Sequence, residues 1–439
     1  MREASMARST RLLIVSYGWA ESGGGTMLAR QVALAFAKRG VEVTVFYAAV
    51  EECPELGPYG LRRHAEGGVQ LIGLCNRPSA FLDMARPDRE IEDPLVAHAF
   101  GRILDEVRPD VVHFFNLHNL GLALPGQCSG RGIPTVLSSN NYWSVCPRLY
   151  LMRADGQLCD GAAGGAQRCA DCCEQMGAAD LYRLRHDAAQ RCLNEELDLH
   201  LSVSVRMKEI FVANGMRPDR VHVLQQQPES LDAIWQQVGA RRAIVPELQR
   251  PLRVAFIGSL LPHKGPQVLV QALQALPRGS VDLQLHGDGD RSFGEYLLSL
   301  DPTGSVRFGG RYGLDELPAR LALADVVVVP SLWEDCAPYV VAEALAARAP
   351  VLGSRMGGIP DFIEEGRSGF LFGLGDAREL ASLIGAFLAD RTLLGRMQAA
   401  IQAPRGFGAY LDDLWSSYEG LGARSTSSSD APETSIARA

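Results

Sequence analysis

Arg253-Val254-Ala255-Phe256-Ile257-Gly258 runs directly into Ser259-Leu260-Leu261-Pro262-His263-Lys264-Gly265, and a helical pattern follows from Pro266 to Leu276. A short apolar run, a glycine turn and a helix opened by proline spell one strand–turn–helix unit. The same grammar opens the chain. Arg11–Tyr17 reads as a buried strand, Ser22-Gly23-Gly24-Gly25 as its turn, and Thr26–Arg39 as a helix with Leu28, Val32, Ala35 and Phe36 on one face, stopped by Gly40. Further strands are expected at 41–47, 110–115, 134–137, 198–204 and 221–225, then at 282–286, 306–308, 326–330 and 351–353. Alternation at this spacing requires right-handed crossovers and parallel sheets covered on both faces. The fold class is therefore α/β, in two doubly wound halves of similar size.

Composition narrows the functions that such a fold can serve. The chain has 439 residues, 43 basic and 51 acidic, for a formal net charge of −8. An acidic protein is a poor match for nucleic acid, where phosphate neutralisation dominates affinity. No window offers about 18 uninterrupted apolar residues, the length a membrane span needs, and the apolar run Leu12–Val15 is too short for a signal-peptide core. A cytoplasmic protein is expected, with the inner membrane face as an alternative address. Only Lys38, Lys208 and Lys264 are lysines. An incidental surface cation in this chain is nearly always arginine, so each lysine invites a question.

The expected organisation is an N-terminal domain over 1–228, a linker over 229–250 and a C-terminal domain over 251–400. A helix over 401–421 closes the chain, and 422–439 reads as a disordered tail. Within the first domain, 146–173 is a cysteine-rich insertion.

Three places carry chemistry. Gly24 and Gly25 sit between a strand and a helix N-terminus, where unpaired backbone N–H groups favour an anion. The turn lacks the spacing of a dinucleotide fingerprint. Lys264 repeats that arrangement with a compact point charge suited to phosphate oxygens. Beyond the strand ending at Pro330, the loop Ser331–Pro338 holds Asp335, and Glu343 follows two turns into a helix, about 12 Å further by helical rise. Carboxyl groups so far apart suit separate hydroxyl clamps better than a hydrolytic acid/base pair.

These residues resemble the family 4 retaining glycosyltransferases of the GT-B fold. The matching pieces are GSLLPHKG (258–265), HGDGD (286–290), FGGRYGLDEL (308–317), DVVVVPSLWEDCAPYVVAEALAARAPVL (325–352) and GGIPDFIEEGRSGFLF (357–372). Looser agreement comes from SGGGTMLARQVALAFAKRG (22–40), DVVHFFNLHNLG (110–121) and NYWSVCPR (141–148). The resemblance implies two Rossmann-like domains facing a cleft, with the Tyr410–Tyr418 stretch of the 401–421 helix crossing back to the first domain. It implies transfer of a sugar from a nucleoside-diphosphate sugar to a glycan, lipid-linked or small-molecule acceptor, with no cofactor required. Lys264 would meet the diphosphate, aided by backbone near Gly24 and Gly25. Glu343 would bind the ribose, Asp335, Cys336 and Ala337 the transferred sugar, and Arg311 with Tyr312 the base.

Three positions depart from the family pattern. Ser259 stands where an arginine is usual, Asp335 where a glutamate is usual, and Asn140 where a histidine is common. The first removes a phosphate-binding charge, the second shortens a clamp, and the third leaves an amide facing the sugar. Two other readings share the architecture: a sugar-nucleotide epimerase and a non-catalytic nucleotide- or glycan-binding homologue. Two histidines flank the strand end at the expected cleft. His113 reads as structural, whereas His118 or Asn119 is a candidate for the acceptor.

Five cysteines fall within 28 residues, and the first four, Cys146, Cys159, Cys169 and Cys172, have the spacing C-x12-C-x9-C-x2-C. A four-thiolate zinc site would order so small-residue a segment. An iron–sulfur cluster uses the same ligands, and incidental reduced thiols are the third reading.

Overall fold

The computed structural model describes residues 10–19, 24–49, 53–77, 84–242, 250–301 and 304–428. Ser22 and Gly23 of the first turn, and 243–249 of the linker, lie outside these residues.

Eight strands form the first sheet: β1 (Arg11–Ser16), β2 (Glu42–Ala48), β3 (Leu61–Glu66), β4 (Val69–Leu74), β5 (Val111–Phe114), β6 (Thr135–Ser139), β7 (Leu199–Ser202) and β8 (Val221–Val223). Their order is β3-β4-β2-β1-β5-β6-β7-β8, parallel throughout except for the antiparallel β3–β4 hairpin. Six strands form the second: β9 (Leu252–Ile257), β10 (Val281–His286), β11 (Val306–Gly310), β12 (Val326–Val329), β13 (Val351–Ser354) and β14 (Gly369–Phe372). Their order is β11-β10-β9-β12-β13-β14, parallel throughout. The expected two-sheet α/β architecture is the one observed.

The hairpin β3–β4 and the last strand β14 were not expected. β3 reads LRRHAE and is an exposed edge strand, so it carries no apolar alternation; Gly67 and Gly68, both at positive φ, make its turn. β14 has only four residues and opens with glycine, too little for a periodic signal.

Topology decides where a ligand belongs. Chain order reverses direction between β1 and β5 in the first sheet, and between β9 and β12 in the second. At such switch points, loops leaving the C-terminal strand ends splay apart and leave a crevice. The four loops concerned are those that carry Gly25, His118, Lys264 and Asp335.

Each sheet is buried on both faces. Leu13, Val15 and Phe114 pack on one side of the first sheet with Phe100 and Ile103; Leu12, Ile14 and Phe115 pack on the other with Leu28, Val32 and Phe36. The second sheet is covered by Leu269, Ile384 and Phe387 on one face and by Leu321, Val341 and Ala344 on the other.

Two segments bind the domains to each other. Helix Ser230–Gln237, in the segment expected as linker, docks Leu231 and Ile234 into the second domain's core. Helix Gly406–Ser428 returns to the first domain, where Phe407, Tyr410, Leu414 and Tyr418 join Leu28 and Phe36. There the Tyr418 hydroxyl meets His113 Nδ1 at 2.6 Å and Arg39 pairs with Asp412 at 2.7 Å. This helix runs past the expected end at 421, so 422–428 are helical rather than disordered; 429–439 lie outside the described residues.

Candidate functional site

The switch points face one another across a cavity of about 500 Å³. Gly25, His118, Asn140, Asn141 and Gln226 line it from the first domain; Ser259, His263, Lys264, Tyr312, Trp333, Asp335, Cys336, Ala337 and Glu343 line it from the second. Eight residues expected from the sequence therefore share one space: Gly25, Asn140, Ser259, Lys264, Asp335, Cys336, Ala337 and Glu343. Gly24 opens the helix Gly24–Lys38 one residue before Gly25.

Lys264 is positioned by a turn that only glycine can complete. Gly265 has φ +76°, and a Cβ there would lie 1.8 Å from the Pro330 carbonyl oxygen. That close approach brings the loop after β9 against the loop after β12. Lys264 Nζ then donates to Asp335 Oδ2 at 2.8 Å and lies 4.9 Å from the Trp333 ring centre. The same carboxylate oxygen accepts from Ser331 Oγ at 2.9 Å, and Asp335 is only 5% exposed.

Glu343 lies deeper, on the helix Tyr339–Ala346 that begins just after Pro338. Its Oε1 accepts from Ser230 Oγ at 3.0 Å. Burial pushes its pKa up to about 7, against a smaller opposing effect of the Ser230 hydroxyl. Burial first, and the Glu343 charge second, push the Tyr312 phenol up to about 12, so that ring faces the cavity as a neutral donor.

On the first domain, Asn140 Oδ1 accepts from Asn116 Nδ2 at 3.2 Å. Gly25 lies so close that a Cβ would sit 2.3 Å from Asn140 Nδ2. Burial, and then the charges of Arg77 and Arg185, pull the His118 pKa down to about 3, so this imidazole is neutral. His263 is also lowered, by burial and by Lys264. The domains are held together around the cavity. Arg206 pairs with Glu334 at 2.7 Å, Val205 N donates to Asp361 Oδ2 at 2.6 Å, and Tyr339 OH donates to Gln226 Oε1 at 2.6 Å.

Some expectations need correcting. Arg311 is not in the cavity; its largely exposed side chain pairs with Asp288 at 2.8 Å, and the neighbouring Tyr312 lines the wall. Here Arg320 lies over the Tyr312 ring at 5.5 Å. His113, by contrast, has the structural place expected of it: it is fully buried between Tyr418 OH and Ser138 Oγ and stacks on Phe115.

The expected zinc set of Cys146, Cys159, Cys169 and Cys172 does not assemble. Among the described residues no three His, Cys, Asp or Glu side chains are arranged to hold a metal ion. The thiols are neighbours nonetheless: burial first, and then Cys146, Cys159 and Cys173, push the Cys169 thiol up. Cys169 and Cys173, one turn apart, are buried with Ala170 and Tyr182, while Cys172 is half-exposed and Cys146 belongs to the first domain's main core. Sequence reasoning missed Tyr150, Ser230 and Gln226. Tyr150 lies in the insertion, Ser230 in the segment that read as linker, and Gln226 just before that segment.

Two doubly wound domains with facing switch points define the GT-B architecture, and the comparisons agree with it. Sucrose-phosphate synthase from Thermosynechococcus elongatus superposes with a TM-score of 0.67 at 18% identity, over 94% of this chain and all of that one. Anabaena HepE, in complex with UDP and glucose, gives 0.62 at 17% identity over 93% and 99%. Profile matches cover both halves: Glycosyltransferase Family 4 over residues 22–226, and Glycosyl transferases group 1 over residues 251–390. The chain belongs to glycosyltransferase family 4. Sequence relatives include the sulfoquinovosyl transferase of Arabidopsis thaliana, 34% identical over 33% of this chain and 28% of that protein. Another is a D-inositol 3-phosphate glycosyltransferase of Corynebacterium efficiens, 31% identical over 37% of this chain and 41% of the relative. This chain thus spans well under half the length of either. Among the described residues no helix is long and apolar enough to cross a membrane.

Proposed function

We propose that the protein is a retaining glycosyltransferase that takes its sugar from a nucleoside-diphosphate sugar bound to the second domain. The observation that carries this reading is the pairing of Lys264 with Asp335, beside Glu343, at the second sheet's switch point and opposite Gly25 and Asn140. The donor diphosphate takes over the ammonium from Asp335. The freed carboxylate then accepts hydroxyls of the transferred sugar, Glu343 accepts those of the ribose, and Tyr312 lies at the base.

When the nucleoside diphosphate leaves, negative charge grows on its phosphate oxygens while the sugar becomes oxocarbenium-like. Lys264 and the helix N–H groups at Gly25 and after Pro338 are fixed toward that charge, the arrangement that lowers such barriers most. Retention follows from attack on the face the diphosphate leaves, its oxygen taking the acceptor proton. Closure of the two domains over the cleft would limit loss of donor to water.

A panel of UDP-, GDP-, ADP- and dTDP-sugars tests the reading. Release of nucleoside diphosphate supports the transferase, and the anomeric configuration of the product, read by NMR, tests retention. An altered sugar still joined to its nucleotide would mean an epimerase. Binding without turnover would mean a non-catalytic homologue.

A further inference from the structure

The cysteine-rich insertion sends one side chain across the cleft. Tyr150 is 41% exposed, although its neighbours Leu149 and Leu151 are 7% and 0% exposed. Both leucines adopt left-handed backbone, with φ 71° and 51°. Bulky residues rarely do so, and such conformations persist where surrounding contacts enforce them, often at ligand-binding positions. The enforcing contacts are Tyr142 N to Leu149 O at 3.1 Å, Leu149 N to Cys146 O at 3.0 Å and Cys159 N to Leu151 O at 2.8 Å. With both leucines anchored in the core, the tyrosine projects into the cavity. Its ring centre lies 5.3 Å from that of His263 and, edge to face, 5.0 Å from that of Trp333, the ring beneath Lys264.

Apart from Lys264, paired with Asp335 beside Trp333, and the buried carboxyl of Glu343, the polar groups that share the cavity with this aromatic wall are uncharged. Asn140, Asn141, Gln226 and neutral His118 supply them. Lys264 is the one lysine or arginine among the described lining residues, and it already serves Asp335 and the donor. Arg77 and Arg185 bear on His118 from outside the cavity lining, Arg185 fully buried against Glu90.

We infer that Tyr150 is a specificity-determining residue that packs on the acceptor, and that the acceptor's reacting end is an uncharged saccharide ring, not a sugar phosphate. This rests on the transferase reading above. A pyranose offers C–H groups to an aromatic face and hydroxyls to the amides around it, and a rigid tyrosine supplies that contact at little entropic cost. Among the described lining residues an anionic acceptor would find no cation of its own.

The test offers methyl glycosides of glucose, galactose, mannose and N-acetylglucosamine, alongside glucose 6-phosphate and inositol 3-phosphate, with the donor cleaved fastest in the panel. Transfer to at least one glycoside is expected. Tyr150→Ala should then raise the acceptor KM about tenfold or more with donor KM and kcat nearly unchanged, and Tyr150→Phe should restore it. Preference for a phosphorylated sugar, donor cleavage with transfer to no glycoside, or equal loss of donor and acceptor affinity in Tyr150→Ala overturns the inference. A wild-type protein that cleaves no donor defeats the transferase reading itself, and this inference with it.

Discussion

Lys264 and Asp335 meet at 2.8 Å, joining the loops that follow β9 and β12 into one charged unit at the floor of the cleft. The cation stands beside a buried carboxylate where a diphosphate is expected, and Ser259, in the place of the family's usual arginine, adds no charge. Lys264→Ala should therefore lower turnover about 10²- to 10³-fold, the scale of losing one preorganised donor at a developing charge. It should also lower stability, because Asp335 keeps only the Ser331 hydroxyl. Lys264→Ala/Asp335→Asn should recover the melting temperature but not the rate. Steady-state kinetics and thermal melts of both variants check this, and a wild-type rate in Lys264→Ala would refute the assignment.

Asp335 competes with the diphosphate for Lys264, so the two ends of the pair should respond in opposite directions. Asp335→Asn keeps the size and the Ser331 contact but releases the ammonium. UDP should bind several-fold more tightly to this variant while transfer slows, since the hydroxyl-accepting carboxylate is gone. Calorimetric titration with UDP beside the transfer rate reads both effects. Weaker UDP binding would mean that Asp335 organises Lys264 for the donor and does not compete for it.

The sequence announced the second domain better than the first, and the reason is physical. Strands such as Val326–Val329 are buried on both faces, so they appear as unbroken apolar runs, and Lys264, Asp335 and Glu343 lie at fixed short distances from those strand ends. Tyr150 has no such anchor. Its position comes from two left-handed leucines held by long-range core contacts, which no local pattern encodes. Arg311 shows the converse failure: a motif located the right loop, but sequence could not say that its arginine turns out to Asp288 while Tyr312 turns in. For the cysteines, spacing alone could not show that Cys169 and Cys173, the latter at the helix C-cap, are buried together with Tyr182 while Cys172 is half-exposed.

Glu343 predicts a pH signature. Its folded pKa of about 7 lies above the ordinary 4.5 because the carboxyl is buried. A raised carboxyl pKa means that ionisation disfavours the folded state, so the cost begins as pH rises above 4.5 and is complete above 7. The shift corresponds to roughly 3 kcal/mol at most. Glu343→Gln, which keeps a partner for Ser230, should melt with the wild type near pH 5 and a few degrees above it near pH 8. Because ribose hydroxyls donate best to the ionised carboxylate, UDP binding by the wild type should strengthen through this window. In the variant, binding should be about tenfold weaker and flat with pH. Melting curves and titrations across the range decide the matter; a pH-independent difference in both would remove the titration of Glu343 as the cause.

Gly25 and Asn140 give a test of the opposite wall. Gly25 lies at the start of a helix, where alanine is intrinsically preferred by up to about 1 kcal/mol, so Gly25→Ala has no reason to unfold the protein. Its new Cβ, however, would stand 2.3 Å from Asn140 Nδ2 and 2.9 Å from Tyr17 OH, and the amide must move from its place beside Asn116. A shift of about 1 Å in a group facing the reacting sugar can cost about 10²-fold in rate. Gly25→Ala should therefore keep its melting temperature and lose rate. The closer clash exists only while Asn140 has its full side chain, the approach to Tyr17 OH remaining, so Gly25→Ala should cost much less rate in an Asn140→Ala background than in the wild type, a coupling that a double-mutant cycle measures directly. If the two losses simply added, the effect of Gly25 would instead run through Tyr17 or through its backbone N–H and the donor phosphate.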